Sequence, residues 1–316
     1  MNEDLVVIGV PYKPFLSVVK DGCTMKNVHF LIIDNKKGLI WKILFRFFFF
    51  CKMYALALKC KISEENQKKF YSLKQNPSTR FLFWGQFYLP WWITMAACLE
   101  KNKKACFCWG PMGNAKNLKE RERHIQLANK KKISFFTINQ SDANKYGMIY
   151  TTQCYRFYNN IIGGPIKSDF YFLGYKKGRE KILLQLQEKI EQQGFSTNFI
   201  LRDHNQNETD FTENVILAKQ SRCIVDIVAN HSIYKQDGMT LRPLEALFLK
   251  KKLITNYKKI VDCDFYHPNN VFLITDDLDV EKLTEFMNLP FHPIDENIVK
   301  QYEVNYWVQK YFMGKK

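Results

Sequence analysis

A chain of 316 residues with 46% hydrophobic side chains carries enough apolar material for two domains of about 150 residues each, which excludes global disorder. Its 47 Lys+Arg against 31 Asp+Glu give a formal net charge of +16, a balance that suits phosphate-rich partners, whether nucleic acid, an anionic membrane or nucleotide substrates. Only nine of the 47 are Arg, and the nine cysteines show no framework spacing, so a disulfide scaffold is excluded and reduced thiols are expected.

The opening MNEDLVVIGV is acidic, shows no secretory-leader pattern and predicts a strand over 5–10, followed by another over 28–33. Residues 39–61, LIWKILFRFFFFCKMYALALKCK, predict a helix over 40–60. Lys42, Arg46, Lys52 and Lys59 interrupt this apolar run too often for a comfortable membrane span. At about 100° per residue the four cations fall within roughly 140°, opposite Phe47, Phe50, Tyr54 and Leu58. Two readings stay open: an in-plane helix on an anionic headgroup layer, and an ordinary domain helix packing on a sheet. Strands then follow over 80–84, 105–109 and 133–138, with helices over 89–100 and 117–130. Phe83, Trp84, Tyr88, Trp91 and Trp92 cluster around Gly85, which suits core packing or a stacking platform for sugar rings. Cys106 and Cys108 stand too close for a CxxC pair, and no zinc site is expected.

The stretch 159–168, with Gly163, Gly164 and Pro165, reads as an interdomain joint. A second alternating series begins beyond it. Strands are predicted over 170–174, 197–201, 224–229, 253–256 and 271–275. Helices are predicted over 179–193, 212–220, 241–249, 279–287 and 297–312, with 203–209 a polar insertion. Alternation with short connections predicts an α/β chain of two Rossmann-like domains. The expected domains are 1–163, 164–295, and a C-terminal helix at 296–316 packing back on the first.

The segment 231–249, HSIYKQDGMTLRPLEALFL, is the most informative. A polar loop with Gly238 opens directly into an amphipathic helix behind a buried-strand run, RCIVDIVA. The first helical turn offers unpaired N–H groups and a positive dipole end, Thr240 an N-cap hydroxyl, Arg242 a fixed charge, and Glu245 a carboxylate one turn on. The run FLGYKKGRE ends a strand at Gly174 and places Lys176, Lys177, Gly178 and Arg179 before a helix, so it borders the same crevice. Both features suit a nucleotide diphosphate. Asp262 and Asp264 read as a loop pair without a metal role, and Asp276, Asp277 and Asp279 as helix caps.

Residues 169–307 resemble bacterial glycosyltransferases of the GT-B architecture found in lipopolysaccharide and capsule assembly. DFYFLGYKKGRE, RCIVDI, KQDGMTLRPLEAL and KKLITNYKKIVDCDFY carry the resemblance, with FFTINQSDANKYGMIY from the first half. It implies two Rossmann-like domains facing a cleft. It also implies that Gly174, Lys176, Lys177, Arg179, His231, Gln236, Gly238, Met239 and Thr240 bind the donor, with Glu245 holding ribose hydroxyls. Asp237 stands where many retaining members carry a Glu, so inversion and retention both stay open. Asp237, Arg242 and Asp142 are the catalytic candidates, Asp142 as a base toward the acceptor or as a turn aspartate.

The expectation is a metal-independent transferase without a cofactor, taking a nucleotide sugar as donor and a glycan or lipid-linked glycan as acceptor. It would be cytoplasmic and peripheral on the inner face of the cytoplasmic membrane through 39–61. A sugar-nucleotide epimerase on the same scaffold is the alternative. Nucleic-acid binding is disfavoured, because the charge is dispersed and no groove-reading module is visible.

Overall fold

The computed structural model describes residues 3–12, 14–33, 38–85, 96, 98–112, 118–130, 132–203, 210–228, 237–274 and 279–313. Strands β1 (Leu5–Gly9), β2 (Val28–Ile32), β3 (Arg80–Trp84), β4 (Lys104–Cys108), β5 (Ile133–Thr137) and β6 (Ile149–Tyr150) form one sheet, ordered β2-β1-β3-β4-β5-β6. Strands β7 (Ser168–Tyr175), β8 (Thr197–Arg202), β9 (Ser221–Asp226), β10 (Lys252–Thr255) and β11 (Val271–Leu273) form another, ordered β11-β10-β9-β7-β8. Every pairing is parallel. Parallel neighbours need crossover connections, and strands covered on both faces read as continuous apolar runs, as LVVIG and RFLFW do. The architecture is α/β with two parallel sheets, as the alternation predicted.

In each sheet the first strand is internal, and the chain winds first to one side and then to the other. The winding reverses between β1 and β3 and between β7 and β9, and such reversals leave a crevice beyond the strands' carboxyl ends. The first core includes Val6, Ile8, Leu31, Phe70, Phe81, Phe83 and Cys106. The second is built from Phe170, Phe172, Val225, Ile227 and Ile254, against which the helix Glu180–Gln192 sets Leu183, Leu186 and Ile190. That spacing is the stripe an amphipathic helix lays on a sheet.

The chain divides into two units, Met1–Thr152 with Trp307–Lys316, and Gln153–Tyr306. The division falls at Gln153 rather than at the Gly163–Pro165 turn, because the segment after Gln153 packs within the second unit. Tyr155 is buried, its ring 5.5 Å from Phe248. The helix expected over 297–312 is two helices, Glu296–Gln301 and Val304–Phe312. Tyr155 donates its N–H to the Tyr302 carbonyl at 2.8 Å and accepts from Val304 N–H at 2.9 Å, which takes up the groups a continuous helix would have used. Asp264 accepts a hydrogen bond from the Tyr302 hydroxyl at 2.6 Å, a structural role.

The helix expected over 40–60 is likewise two, Leu39–Phe50 and Tyr54–Lys59. Lys52 turns left-handed (φ 57°). Met53 N–H bonds to Phe48 O at 2.8 Å and Lys52 N–H to Phe49 O at 3.1 Å, the pair of bonds that closes a Schellman C-terminus. Leu58 is consequently buried rather than aligned with Phe47 and Phe50, which are exposed. No element is expected between 61 and 79, yet a helix spans Glu64–Lys74, capped by Ser63 accepting from Asn66 N–H at 3.2 Å. Of the expected aromatic platform, Phe83 and Trp84 are buried, while Tyr88, Trp91 and Trp92 lie outside the described residues. The expected helix over 89–100 and the loop 204–209 also lie largely outside them.

Candidate anion-binding site

The carboxyl edge of β7 turns sharply. Arg179 N–H bonds to Lys176 O at 2.8 Å across Lys177 (φ 44°) and Gly178 (φ 76°), both left-handed, which makes a type I′ turn. Glycine adopts this freely, whereas the conformation costs Lys177 roughly 1–2 kcal/mol. The turn delivers Arg179 to the start of the helix Glu180–Gln192. Its buried guanidinium donates to the Tyr175 carbonyl, Nε at 3.2 Å and Nη2 at 3.1 Å, and to the Ile227 carbonyl beyond β9.

Arg242 reaches the same place from the helix Arg242–Leu249. Its Nη2 donates to the Leu173 carbonyl at 2.6 Å and its Nη1 approaches Asp226 Oδ1 at 3.4 Å. Both guanidinium carbons lie over the Phe172 ring, at 4.7 Å for Arg242 and 5.1 Å for Arg179. Both also crowd Gly174, where a Cβ would stand 2.5 Å from Arg242 Nη2 and 3.1 Å from Arg179 Nη2. A side chain at 174 would therefore push the Arg242 guanidinium out of its present position. Two guanidiniums converge where the winding of the second sheet reverses.

Asp226, at the end of β9, is the counterion. It is fully buried and accepts hydrogen bonds from Thr240 Oγ1 at 2.9 Å and Thr255 Oγ1 at 3.2 Å besides Arg242. Thr240 in turn accepts from Arg242 N–H at 3.3 Å, so it caps the helix from one residue upstream of the backbone N-cap, Leu241. Sequence reasoning missed Asp226. The signal was present: a carboxylate inside the apolar run RCIVDIVA must be paired to stay buried.

One carboxylate does not balance this cluster. Burial, then the Arg242 charge, pushes the Arg179 guanidinium down to about 9, which still leaves it cationic at neutral pH. Lys177 is exposed, but partial enclosure by its surroundings and the charges of Arg179 and Arg242 lower its pKa as well. An added anion would relieve the mutual repulsion of these cations. Each guanidinium has five N–H donors, and the bonds to Tyr175, Ile227, Leu173 and Asp226 leave some on both.

Glu245 lies one turn along the same helix and is buried. Its Oε1 accepts from Tyr155 OH at 3.0 Å and Asn214 Nδ2 at 2.7 Å, and Asn214 Oδ1 accepts from Tyr171 OH at 3.0 Å. Asn214, Tyr155 and Tyr171 come from three separate segments, and no local pattern announces them. Burial raises the Glu245 pKa, against the opposing pull of Tyr155, Arg242 and Asn214. The folded chain thus holds this proton more tightly than the unfolded chain does. The carboxyl's contribution to stability is present in acid and is lost as pH rises through the raised value. Glu245→Gln, which keeps an Oε1 acceptor without the charge, should raise the melting temperature at neutral pH and flatten its fall from acid to neutral. Melting curves of both proteins across pH check this, and an unchanged slope would refute it.

The other candidates are placed less tightly. Lys176 is bound to Glu180 at 2.8 Å and Asp203 at 3.3 Å. The Asp237 carbonyl accepts from Tyr257 OH at 3.1 Å, and its carboxylate stands 3.6 Å from Lys259. Gly238 and Met239 are buried, with Met239 O accepting from Gln153 Nε2 at 3.3 Å. Asp142 sits in the first turn of Gln140–Tyr146 in the first unit, buried, and accepts from Met112 N–H at 2.8 Å. His231 and Gln236 lie outside the described residues.

No protein-family model matches the chain, and no curated protein matches it. Several solved structures are similar to it, among them the following two. The structure of UDP-GlcNAc 2-epimerase from Methanocaldococcus jannaschii has 14% identity and a TM-score of 0.49, covering 97% of this chain and 98% of that one. An alpha-glucosyltransferase in complex with UDP and a 13-mer DNA containing a central A:G mismatch has 10% identity and a TM-score of 0.44, covering 97% and 95%. With TM-scores below 0.5, neither likeness bears on activity.

Proposed function

We propose that the protein is a glycosyltransferase of the GT-B type. It moves a sugar from a nucleotide-diphosphate donor to a lipid-linked surface glycan in lipopolysaccharide or capsule assembly, from the cytoplasm and peripheral to the membrane's inner face. The observation that carries this reading is the convergence of Arg179 and Arg242 on Gly174 at the carboxyl edge between β7 and β9. Breaking the anomeric C–O bond loads charge onto the departing diphosphate, and fixed cations with spare N–H donors lower that barrier where they already stand. Lys177 adds charge, and Glu245 is the carboxylate offered to ribose hydroxyls. In this reading Asp237 faces the transferred sugar.

The test is thermal melting against a panel of nucleoside diphosphates and sugar nucleotides. A bound donor at a hundred times its Kd adds about 2.7 kcal/mol, a readable shift. Stabilisation by at least one diphosphate is expected, and stabilisation by none would end the reading. An epimerase would use the same diphosphate grip. Conversion of a sugar nucleotide into its epimer without any acceptor would decide for that alternative.

A further inference from the structure

The helix Leu39–Phe50 is apolar on two sides. One side belongs to the first core: Phe45 is buried, with Leu44, Phe48 and Phe49 packed beside it. The other side faces outward. Leu39, Ile40, Ile43, Phe47 and Phe50 are each 56–80% exposed, and at 100° per residue they fall within an arc of about 100°. Lys42 and Arg46 stand within roughly 60° of one edge of that arc. Lys52 closes the helix, and Met53 beside it is exposed as well.

Exposed aliphatic and aromatic side chains gathered on one face mark an interaction surface rather than chance. Charge selects the partner. Between Asp34 and Glu64 the sequence holds Lys36, Lys37, Lys42, Arg46, Lys52, Lys59 and Lys61 and no acidic residue. A second copy of this face would bring like charges together, whereas an anionic lipid layer offers both a counter-charge and an apolar phase. No helix among the described residues is long and apolar enough to cross a membrane. A helix of 12 residues anchored in the core along one side can only lie in the plane.

We infer that this face docks the folded protein on an anionic lipid surface. Leu39, Ile40, Ile43, Phe47 and Phe50 enter the headgroup–acyl boundary, and Lys42, Arg46 and Lys52 meet lipid phosphates. The inference rests on the proposed lipid-linked acceptor only for its purpose, since the surface stands on its own geometry. The face differs from the one the sequence suggested. Leu58 is in the core, and Leu39, Ile40 and Ile43 take the place assigned to it and Tyr54.

The experiment is co-sedimentation of the full chain with phosphatidylcholine vesicles, with and without phosphatidylglycerol, at low and high salt. Binding that requires phosphatidylglycerol and weakens with salt is expected. Ile43→Ser with Phe47→Ser should cut it by about tenfold or more, as should Lys42→Glu with Arg46→Glu, at about 1 kcal/mol per near-surface cation. All four positions are exposed, so the variants should melt like the parent and keep any nucleotide stabilisation. Protein left in the supernatant with phosphatidylglycerol at low salt would overturn the inference. So would binding that the variants leave unchanged, or a concentration-dependent dimer that the serine pair dissolves. Vesicle binding without nucleotide stabilisation would instead overturn the donor reading and leave this one standing.

Discussion

Arg242→Ala should lower turnover of a nucleotide-sugar donor by on the order of ten- to a hundredfold or more, and abolish stabilisation by the matching nucleoside diphosphate. A charge-assisted hydrogen bond is worth roughly 1.5–3 kcal/mol, and Arg242 carries spare donors at the point where Arg179 also converges. The loss should fall on kcat as well as KM, because charge on the diphosphate grows as the sugar departs. Arg242→Lys is the informative companion. It keeps a cation but cannot hold Leu173 O and Asp226 together as the fork does, so most of the loss should persist. Steady-state kinetics at a temperature where circular dichroism shows both variants folded would measure this. Full activity in Arg242→Ala would remove the residue from the site.

The largest stability effect is expected at Asp226. Asp226→Ala removes the buried carboxylate that meets Arg242, Thr240 and Thr255. Breaking a buried ion pair by deleting one partner costs about 3–5 kcal/mol, since the remaining charge is left uncompensated. Here that charge is Arg242, already repelled by Arg179. Asp226→Ala combined with Arg242→Ala should therefore cost less than the sum of the two single changes. Urea denaturation of the four proteins gives the coupling, and strict additivity would show that the pair does not interact.

What the sequence makes legible follows from the range of the interaction that decides each feature. β3 was predicted at its observed bounds because RFLFW is buried on both faces, and burial on both faces is written as an unbroken apolar run. Helix ends were harder. At Lys52 the left-handed C-terminal position is held by lysine, so the glycine that ordinarily announces a stop is missing. The helix starting at Glu64 did carry its signal, Ser63 followed by two acidic residues, and could have been read.

In the candidate site, Gly174, Arg179, Thr240, Arg242 and Glu245 stood out because they flank strand-to-helix turns. Asp226 was visible as a carboxylate in an apolar strand. Asn214 and Tyr155 were not visible, because they meet Glu245 only through contacts that span 31 and 90 residues of chain. The break at Tyr302–Glu303 was hidden for the same reason, since its partner is Tyr155.

The discontinuity of the first unit has a consequence for biosynthesis. Trp307 is fully buried there, its ring 5.7 Å from Trp84 and 5.3 Å from Phe107, with its indole N–H bonded to Thr152 O at 2.9 Å. Phe312 packs at a tilt beside it, its ring 5.0 Å from Trp307 and 4.8 Å from Phe136. Chains emerge from the ribosome N-terminus first, and domains generally fold as units. Gln153–Tyr306 is contiguous and can close as soon as it is made. The half that precedes it cannot fill its interior until Trp307 and Phe312 have been made, and until then Trp84 and Phe107 lack those ring partners.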